Sequence, residues 1–584
     1  ASMTMFYSGS VTWVGAGWFK FTAATPFYYN GTDNLLIHYR NRSGAAPSGY
    51  PNFQYTSTTP IYRAKYVYSD TYSSVFPSVS GSRTYNRPNL KIAFALSTTV
   101  HDIAAVEIAE PLSVPDPAAG TPYDLKVKIK NIGSDTLTIA TLNWELDGVV
   151  QTPFIWNGTL LQDETSSLIT MASVTFPGAG NHVIRFWTSL PDGFADEMML
   201  NDTVSKSYFA CSAPLSGTYT IGAAGDFTTI SEAAGILNHC GISGSVVFNI
   251  ATGTYNEQVN LAQIPGSSAS NTVTFQSASG NYNDVTISGG GDGTLNNYVV
   301  NLDGTDFVRF KNITMQAAGA VAGYTTVLYY TNGATNNIFQ NNRFVGIENS
   351  SSTSANNAVI YSPSSTSSVD TNNVFTGNLI EFGSYGIYVN GASTTVLESG
   401  TVISKNQVIN AGYRGIYAYY QNAPVLDSNV VISHSTSSTS FSGIYAGYCD
   451  NAMRVTNNTI TLKNSGNGLY MYYSDAASGN EGLIANNMIS VDGTGTSYGI
   501  YHTTSGYKNY YFNSVNVTSN STTARAFYST GSTTGNNLIN NIFAYTGSNT
   551  SGMAIYISTT AGITSMNYND LYSTGTNLGY WSSN

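Results

Sequence analysis

Two short hydrophobic patterns alternate along the chain from about residue 300 onwards. The first is a run rich in apolar residues that ends in asparagine, as in VRFKN at Asn312 and LIANN at Asn487. Nine steps of this pattern cover the 257 residues from Asn312 to Asn569, about 28–29 residues per step. Periods of this length are typical of solenoids. The ten asparagines are Asn312, Asn342, Asn378, Asn406, Asn429, Asn458, Asn487, Asn513, Asn541 and Asn569.

The second pattern places a tyrosine after an aliphatic residue or phenylalanine, with the same period. Short strands at regular spacing, divided by Gly, Ser, Thr and Asn, indicate an all-β fold. We therefore predict a right-handed parallel β-helix with one turn per repeat. Asparagine tolerates left-handed backbone geometry and can bond to the backbone nearby, so we expect it at this recurrent position, stacked into an internal or corner ladder of amides. The tyrosines are Tyr329, Tyr361, Tyr388, Tyr417, Tyr445, Tyr470, Tyr501, Tyr528 and Tyr556.

Alternation along each strand predicts which side chains point away from the interior. In GIYAY, Ile416 and Ala418 are expected inside, and Tyr417 and Tyr419 outside. A stripe of stacked tyrosines is a candidate ligand surface, because sugar rings stack on exposed aromatic faces. The alternative is that the rings only stabilise neighbouring coils or lie under loops. The candidate binding residues are Tyr388, Tyr417, Tyr419, Tyr445, Tyr470, Tyr472, Tyr501, Tyr528 and Tyr556.

The composition of the chain indicates where the protein is located and which classes of partner it can bind. Only 9% of the 584 residues are charged, and the net charge is −11 with 22 Lys and Arg. A nucleic-acid partner needs a basic footprint, which this composition does not supply. No apolar run approaches the length of a membrane span. Gly, Ser, Thr, Asn and Tyr take the place of charged residues, which suits an extracellular β protein, so we expect a location at a bacterial cell surface or outside the cell. Strand-like sequence follows Ala1–Thr4 directly, so we expect the chain to begin within a processed or larger protein.

The three cysteines also indicate the compartment of the protein. Cys211 and Cys240 bracket the start of the repeats, and Cys449 lies within one of them. A disulfide between Cys211 and Cys240 would close a loop of about 29 residues, contribute roughly 3 kcal/mol and imply an oxidising compartment. The alternative is that all three cysteines are buried thiols.

Three domains are predicted: residues 1–99, 100–212 and 213–584. The first contains RPNLKIAFAL and resembles the latter part of a β-sandwich (jelly-roll-like and here incomplete) in large surface proteins exported by the type IX route. The second contains LKVKIKNIG and NWELDG and resembles the adhesion-related domain of immunoglobulin type. Its acidic loop, with Asp192, Asp196, Glu197 and Asp202, is a candidate calcium site, because calcium takes several carboxylate and carbonyl oxygens. Ordinary turn chemistry is the alternative.

The third domain opens with GDFTTISEAAGIL, in which Thr228 or Thr229 is expected to cap a short helix that ends near Leu237. Solenoid ends need such caps. This stretch and the turn Gly253–Glu257 resemble the opening of pectin methylesterases, and the repeats resemble the parallel β-helix repeats of secreted bacterial proteins. The resemblance implies the fold. It does not carry the active site, since the family's catalytic aspartate motifs are absent.

No catalytic constellation emerges from the sequence, so an enzyme is the less favoured hypothesis. General acid–base catalysis needs groups that converge in one pocket, whereas Asp303 and Asp306 are the nearest acidic pair and fall in a predicted turn. His434 and His502 lack neighbouring ligands. The leading hypothesis is a non-catalytic adhesin, a rigid rod that binds glycans or cell surfaces without a cofactor other than calcium. The alternatives are a self-associating filament or sheath subunit, and a polysaccharide lyase or esterase.

Overall fold

A computed structural model describes residues 55–57, 64–66, 82–88 and 99–582, with gaps. The gaps are residues 292, 294–295, 319–322, 349–351, 364, 435–440, 464 and 532. The predicted first sandwich, residues 1–99, therefore lies almost entirely outside the described residues. Within it, two antiparallel pairs are described: Tyr55–Ser57 with Asn86–Pro88, and Ala64–Tyr66 with Ser82–Thr84. Where the chain is described, no helix has the length and apolar character needed to cross a bilayer.

The chain divides into two compact units. The first comprises residues 1–113, 122–175 and 182–208, and the second comprises residues 114–121, 176–181 and 209–584. The predicted boundaries at 99/100 and 212/213 stay a prediction.

From residue 103 onwards, the first unit contains two larger sheets with antiparallel strand pairs. Alternation in Pro122–Asn131 buries Leu125, Val127 and Ile129 completely, as expected for a half-buried strand. The smaller sheet contains Ile103–Glu110, Pro122–Asn131 and Ile169–Thr175, and the larger contains Leu137–Leu146, Val149–Val150, Phe154–Leu160, Gly180–Ser189 and Thr203–Ala210. An immunoglobulin-like topology stays a prediction.

The second unit is a parallel β-helix with three long sheets, and this confirms the predicted all-β class and solenoid. Consecutive turns pair strand on strand in parallel. The first sheet contains Leu215–Ile221, Ile242–Ile250, Val273–Ser277, Val308–Lys311, Ile338–Gln340, Val374–Thr376, Val402–Ser404, Val425–Asp427, Arg454–Thr456, Gly482–Ala485, Lys508–Tyr511, Asn536–Ile539 and Ile563–Asn567.

The second sheet contains Gly253–Asn256, Val285–Gly289, Thr314–Ala317, Arg343–Val345, Leu379–Glu381, Gln407–Ile409, Val430–Ser433, Thr459–Leu462, Met488–Val491, Ser514–Val517, Ile542–Tyr545 and Asp570–Ser573. The third sheet contains Val259–Leu261, Val300–Asp303, Leu328–Thr331, Ile360–Ser362, Tyr385–Asn390, Glu398–Ser399, Arg414–Asn422, Phe441–Asp450, Gly466–Tyr472, Ser497–Thr503, Arg525–Thr530, Met553–Ile557 and Gly579–Trp581. Short 3-10 turns lie at Pro191–Gly193, Tyr282–Asp284, Ala355–Asn357 and Thr560–Gly562.

One hydrophobic core runs through the coils. On the first sheet, inward phenylalanines stack from turn to turn with ring centroids 4.8–5.8 Å apart, a spacing at which aromatic pairs attract each other. These rings belong to Phe248, Phe275, Phe310, Phe339 and Phe375.

An asparagine ladder closes the corner between the first and second sheets. In the middle of it, the Asn458 side-chain nitrogen donates to the Leu426 carbonyl (2.9 Å) and to the Asn487 side-chain oxygen (3.0 Å). The Asn458 side-chain oxygen accepts from the backbone and side-chain nitrogens of Asn429. Each buried amide thus satisfies its own polar atoms and the backbone of the adjacent turn. The ladder consists of Asn342, Asn378, Asn406, Asn429, Asn458, Asn487, Asn513, Asn541 and Asn569.

The left-handed geometry expected for the asparagines at this corner is wrong. The left-handed residue is the one before the ladder, for example Asn457 (φ 58°) and Asn486 (φ 56°). Asn312 takes this left-handed position (φ 56°), and the next residue, Ile313, donates its backbone N–H to Asn342. Asn312 is therefore not a ladder member. The ladder asparagines are needed for their amides.

A cap closes the N-terminal end of the solenoid core. The helix Ile230–Cys240 starts after Thr229, whose hydroxyl accepts from the Glu232 N–H. Glu257, from the predicted turn, accepts the N–H groups of Ile230 (3.0 Å) and Ser231 (2.8 Å), and a carboxylate is favourable at a helix N-terminus. The helix runs one turn past the expected end, and its buried residues are Ile230, Ala233, Ala234, Ile236, Leu237 and Cys240.

The structure joins Cys211 and Cys240 in a disulfide and leaves Cys449 as a buried thiol. The bridged residues are 29 apart in sequence, so the loop-closure effect amounts to about 3 kcal/mol. The bridge ties the end of the capping helix to the segment that enters the solenoid.

Candidate functional site

A tyrosine ladder runs along the outer side of the third sheet. Its members are in register from turn to turn, as shown by the pairs Tyr388–Tyr417 and Tyr470–Tyr501. Successive ring centroids lie 4.4–5.6 Å apart. With strands about 4.8 Å apart, ten rings span about 43 Å. The ladder consists of Tyr329, Tyr361, Tyr388, Tyr417, Tyr445, Tyr470, Tyr501, Tyr528, Tyr556 and Tyr580.

Strand alternation places these rings outside the core. Ile416 and Ala418 are fully buried, while Tyr417 between them is only partly covered. The exposure expected for Tyr445 is wrong: it is 6% exposed, because Tyr417, Tyr470 and an arginine pack against its ring. Several ladder tyrosines therefore have ring faces covered by neighbouring rings.

Further tyrosines widen the ladder into a broader surface. Tyr419 and Tyr472 occupy a second file two residues along each strand, separated by Gly447. A side chain at Gly447 would collide with the Tyr419 ring, since a Cβ there would lie 2.5 Å from it. With the ladder, these residues form what we call the tyrosine face; the flanking members are Tyr385, Tyr413, Arg414, Tyr419, Tyr420, Tyr448, Tyr472, Tyr473 and Tyr498.

Several of these flanking residues were not among the candidates from the sequence. Tyr420, Tyr448 and Tyr473 adopt left-handed backbone geometry (φ 51°, 48° and 47°) at the end of their strands, and their rings stack on one another. Bulky residues seldom take this conformation. A tyrosine recurs at this one position in three turns, and that recurrence is the signal that sequence inspection missed.

The packing of the rings decides what the tyrosine face offers a ligand. Tyr388 and Tyr417 stack at 4.6 Å, and Tyr470 and Tyr501 stack at 4.5 Å, so neighbouring rings cover much of each other's faces. Burial raises the pKa of Tyr388 and Tyr470 to about 12, which leaves both hydroxyls neutral at physiological pH. The face therefore offers ring edges and hydroxyl groups that both donate and accept hydrogen bonds.

Acidic residues also lie inside the solenoid. Glu398 and Asp370 are 2% and 3% exposed. Burial raises the pKa of Glu398 to about 8 and that of Asp370 to about 6. Glu398 accepts from Gln421 and Asp370 accepts from Ser362. Both groups are enclosed in the core and bonded to neighbours, which suits a structural role.

The sequence-predicted acidic pair and histidines form no shared site. Asp303 accepts from Asn332, and Asp306 accepts from Thr335 of the next turn. His502 is buried, and its Nδ1 lies 2.7 Å from the Tyr510 hydroxyl oxygen. His434 lies exposed in another turn.

The candidate calcium residues are mostly engaged with backbone. Asp192 accepts from Thr138 and Ile139, and Glu197 accepts from Val100. Asp196 accepts from Ile103 and Met198. Burial, and repulsion from Asp196 and Asp102, raise the pKa of Asp202 to about 7. In the described residues, no three or more His, Cys, Asp or Glu side chains are grouped as a metal site, and calcium stays a prediction.

Comparisons with known proteins bear on the solenoid. Residues 333–552, less than half of the chain, match a family described as periplasmic copper-binding protein (NosD). No curated protein matches the chain. The similarity to this family and the three parallel sheets confirm the resemblance to β-helix repeat proteins.

Several solved structures are similar at low identity. The Agl-KA catalytic domain is 12% identical, covering 84% of this chain and 98% of its own, with a TM-score of 0.39. A GH87 α-1,3-glucanase catalytic domain with nigerose is 10% identical, and the match covers 83% of this chain and 99% of the glucanase domain, with a TM-score of 0.31. A CARDB domain from Pyrococcus furiosus with di-metal ions is 15% identical, covering 20% and 99%, with a TM-score of 0.16.

Proposed function

We propose that this protein acts outside the cytoplasm as a non-catalytic glycan-binding protein, and that an extended polysaccharide lies along its tyrosine face. The observation that carries the proposal is the continuous, in-register ladder of ten tyrosines on the outer side of one sheet. Soluble proteins rarely expose large continuous aromatic surfaces without a binding role. A rigid, repetitive surface also suits a ligand that is itself a repeating polymer.

The chemistry of the tyrosine face fits a polyol. A neutral phenol hydroxyl both donates and accepts hydrogen bonds, as sugar hydroxyls do, and the ring edges supply apolar contact. Tyrosine has few rotatable bonds, so little conformational entropy is lost when it holds a ligand. Stacking against neighbours restricts the rings further, and this favours binding by a preorganised surface.

Two features support a location outside the cytoplasm. The Cys211–Cys240 disulfide suits an oxidising compartment, and the matching family is described as periplasmic. The copper of that family's description is not carried over to this chain, because the described residues present no matching cluster of histidine, cysteine or carboxylate donors.

The alternatives have less support from the site. The filament hypothesis came from an incomplete first sandwich, which lies almost entirely outside the described residues. The lyase or esterase hypothesis needs converging acid and base groups, and the acidic residues discussed above are enclosed or bonded to neighbouring turns.

The test measures retention of the full chain by a panel of neutral, uronate-containing and sulfated polysaccharides. The variant Tyr419→Phe/Tyr472→Phe/Tyr501→Phe keeps the rings and removes three hydroxyls from the tyrosine face. At about 0.5–1.5 kcal/mol per lost hydrogen bond, we expect binding to weaken about tenfold or more.

The matched control is Tyr282→Phe/Tyr568→Phe/Tyr572→Phe, which removes three hydroxyls away from the tyrosine face and should bind like the wild type. Retention by no polysaccharide, or equal weakening in both triple variants, would overturn the proposal. Release of new sugar ends by the wild-type chain would instead support the enzyme hypothesis.

A further inference from the structure

Arg414 is a charged residue in the middle of the tyrosine face. It opens the strand Arg414–Asn422, three residues before the ladder position Tyr417. Its file on the sheet continues through Ser442, Asn467 and Tyr498 to Arg525. Two turns of this file thus carry an arginine, 111 residues apart in sequence.

Three tyrosine rings hold the Arg414 guanidinium. Its central carbon lies 3.9 Å from the ring centre of Tyr445, 4.8 Å from that of Tyr413 and 4.9 Å from that of Tyr417. A cation over an aromatic face is attracted by the ring quadrupole. Three such contacts fix the position of the guanidinium.

The polar partners of Arg414 are few. One terminal nitrogen donates to the Tyr413 hydroxyl (3.2 Å), whereas the buried Nε has no hydrogen-bond partner. Within the part of the chain that the structure describes, no carboxylate lies within ion-pair distance of Arg414; Arg343, by contrast, has Glu381 at 2.6 Å. A largely covered charge without a counter-charge is costly, so a ligand that brings one gains affinity.

Arg525, the second arginine of this file, has a structural role. One of its terminal nitrogens donates to the carbonyls of Ala524 (2.6 Å), Ser551 (3.0 Å) and Thr522 (3.2 Å). Its guanidinium also lies 5.3 Å from the Tyr556 ring centre. Arg525 therefore shares the file, the charge and the tyrosine neighbourhood of Arg414, but its donors are engaged with backbone.

We propose that Arg414 is the anchor for an oxyanion on the polysaccharide, either the carboxylate of a uronic acid or a sulfate ester. The guanidinium presents a planar fork of donors that matches such oxyanions in a bidentate way. The surrounding tyrosine hydroxyls supply further donors. This inference rests on the proposed function and assigns the ligand class: an acidic polysaccharide rather than a neutral one.

The experiment compares binding of the full chain to three soluble polymers: polygalacturonate, which carries carboxylates; carrageenan, which carries sulfates without uronic acid; and neutral dextran. The variants are Arg414→Gln, Arg414→Lys and the matched control Arg525→Gln. Thermal unfolding of each variant establishes that it is folded.

We expect the wild type to bind at least one acidic polymer more tightly than dextran. Arg414→Gln should weaken that binding at least tenfold and Arg525→Gln less than twofold. Arg414→Lys should fall between them, since lysine keeps the charge but not the fork. The polymer retained, polygalacturonate or carrageenan, identifies the oxyanion.

Two results would overturn the inference and leave the proposed function standing: tighter binding of neutral dextran than of both acidic polymers, or equal weakening by Arg414→Gln and Arg525→Gln. If none of a wider panel of polysaccharides binds, the proposed function itself fails.

Discussion

The asparagine ladder and the tyrosine ladder repeat with the same period, yet they differ in where their polar atoms are satisfied. The asparagine amides lie inside the coil, where those in the middle of the ladder, such as Asn458, bond to the adjacent turns on both sides. The tyrosines lie on the outer side of the third sheet, where their rings pack on one another and most are only partly covered. The asparagine ladder is satisfied within the chain, whereas the tyrosine ladder forms part of the surface. A shared period therefore indicates a shared fold but not a shared role.

The largest effect should come from breaking the asparagine ladder. In Asn458→Ala, the amide that bonds to Leu426, Asn429 and Asn487 is lost, and buried partners are left unsatisfied. Each unsatisfied group costs about 1–3 kcal/mol, so we expect a loss of about 4 kcal/mol in the free energy of unfolding, measured by denaturant titration.

Asn467→Ala is the matched control. Asn467 lies on the outer side of the third sheet, and its side chain donates to Ser442 at 3.3 Å. The expected loss is below about 0.5 kcal/mol. Equal losses for the two variants would contradict the contrast between the interior and exterior positions.

The second effect concerns a buried cation in the interior of the solenoid. Lys508 occupies the position at the start of the first-sheet strand that Asn373 and Asn536 occupy in other turns. It is fully buried, its ammonium has no hydrogen-bond partner, and Gly482 leaves room for its chain. Burial lowers the pKa of Lys508 to about 8.

The lowered pKa of Lys508 makes stability depend on pH. Between pH 8 and about 10.5 the unfolded chain binds more protons at this group than the folded chain, so stability should rise with pH across that window. Below pH 8 the buried charge costs about 3 kcal/mol. Lys508→Met should therefore be more stable at pH 7, and urea titrations at pH 7 and 9.5 should differ less for it than for the wild type. A less stable Lys508→Met would show that the ammonium has a partner.

The smallest effects should come from the tyrosine ladder. Tyr470→Ala removes a ring packed between Tyr445 and Tyr501, and aromatic pairs contribute about 0.5–1.5 kcal/mol each. We expect a loss of about 2 kcal/mol for Tyr470→Ala and less than about 0.5 kcal/mol for Tyr470→Phe in thermal unfolding. A large loss for Tyr470→Phe would mean that the hydroxyl is part of the internal structure.

The sequence predicted the period, the in–out alternation and the capping helix, because these depend on local spacing. It misaligned Asn312, because a repeated letter does not distinguish the left-handed residue from the ladder residue after it. It also predicted exposure for Tyr445 from alternation alone. Alternation indicates the side of the sheet on which a side chain lies, whereas its burial depends on rings from other turns. The spacing of the asparagine ladder varies from 23 to 36 residues, so the sequence alone does not show which residues of different turns lie side by side.

The environments of Arg414 and Lys508 could not be predicted from the sequence. Both belonged to a scattered set of cations in the repeats, with no local motif. Only the turn-to-turn register brings Arg414 against Tyr445, or places Lys508 above Gly482. Chemistry that depends on residues of several coils is not encoded in any one repeat.

The most direct test of the account is oxidative footprinting of the full chain with and without the polysaccharide panel, read by mass spectrometry at each tyrosine. The account predicts that at least one polymer protects Tyr419, Tyr472 and Tyr501 and leaves Tyr568 and Tyr572 unchanged. Protection confined to tyrosines away from the tyrosine face, or no protection by any polymer, would contradict it.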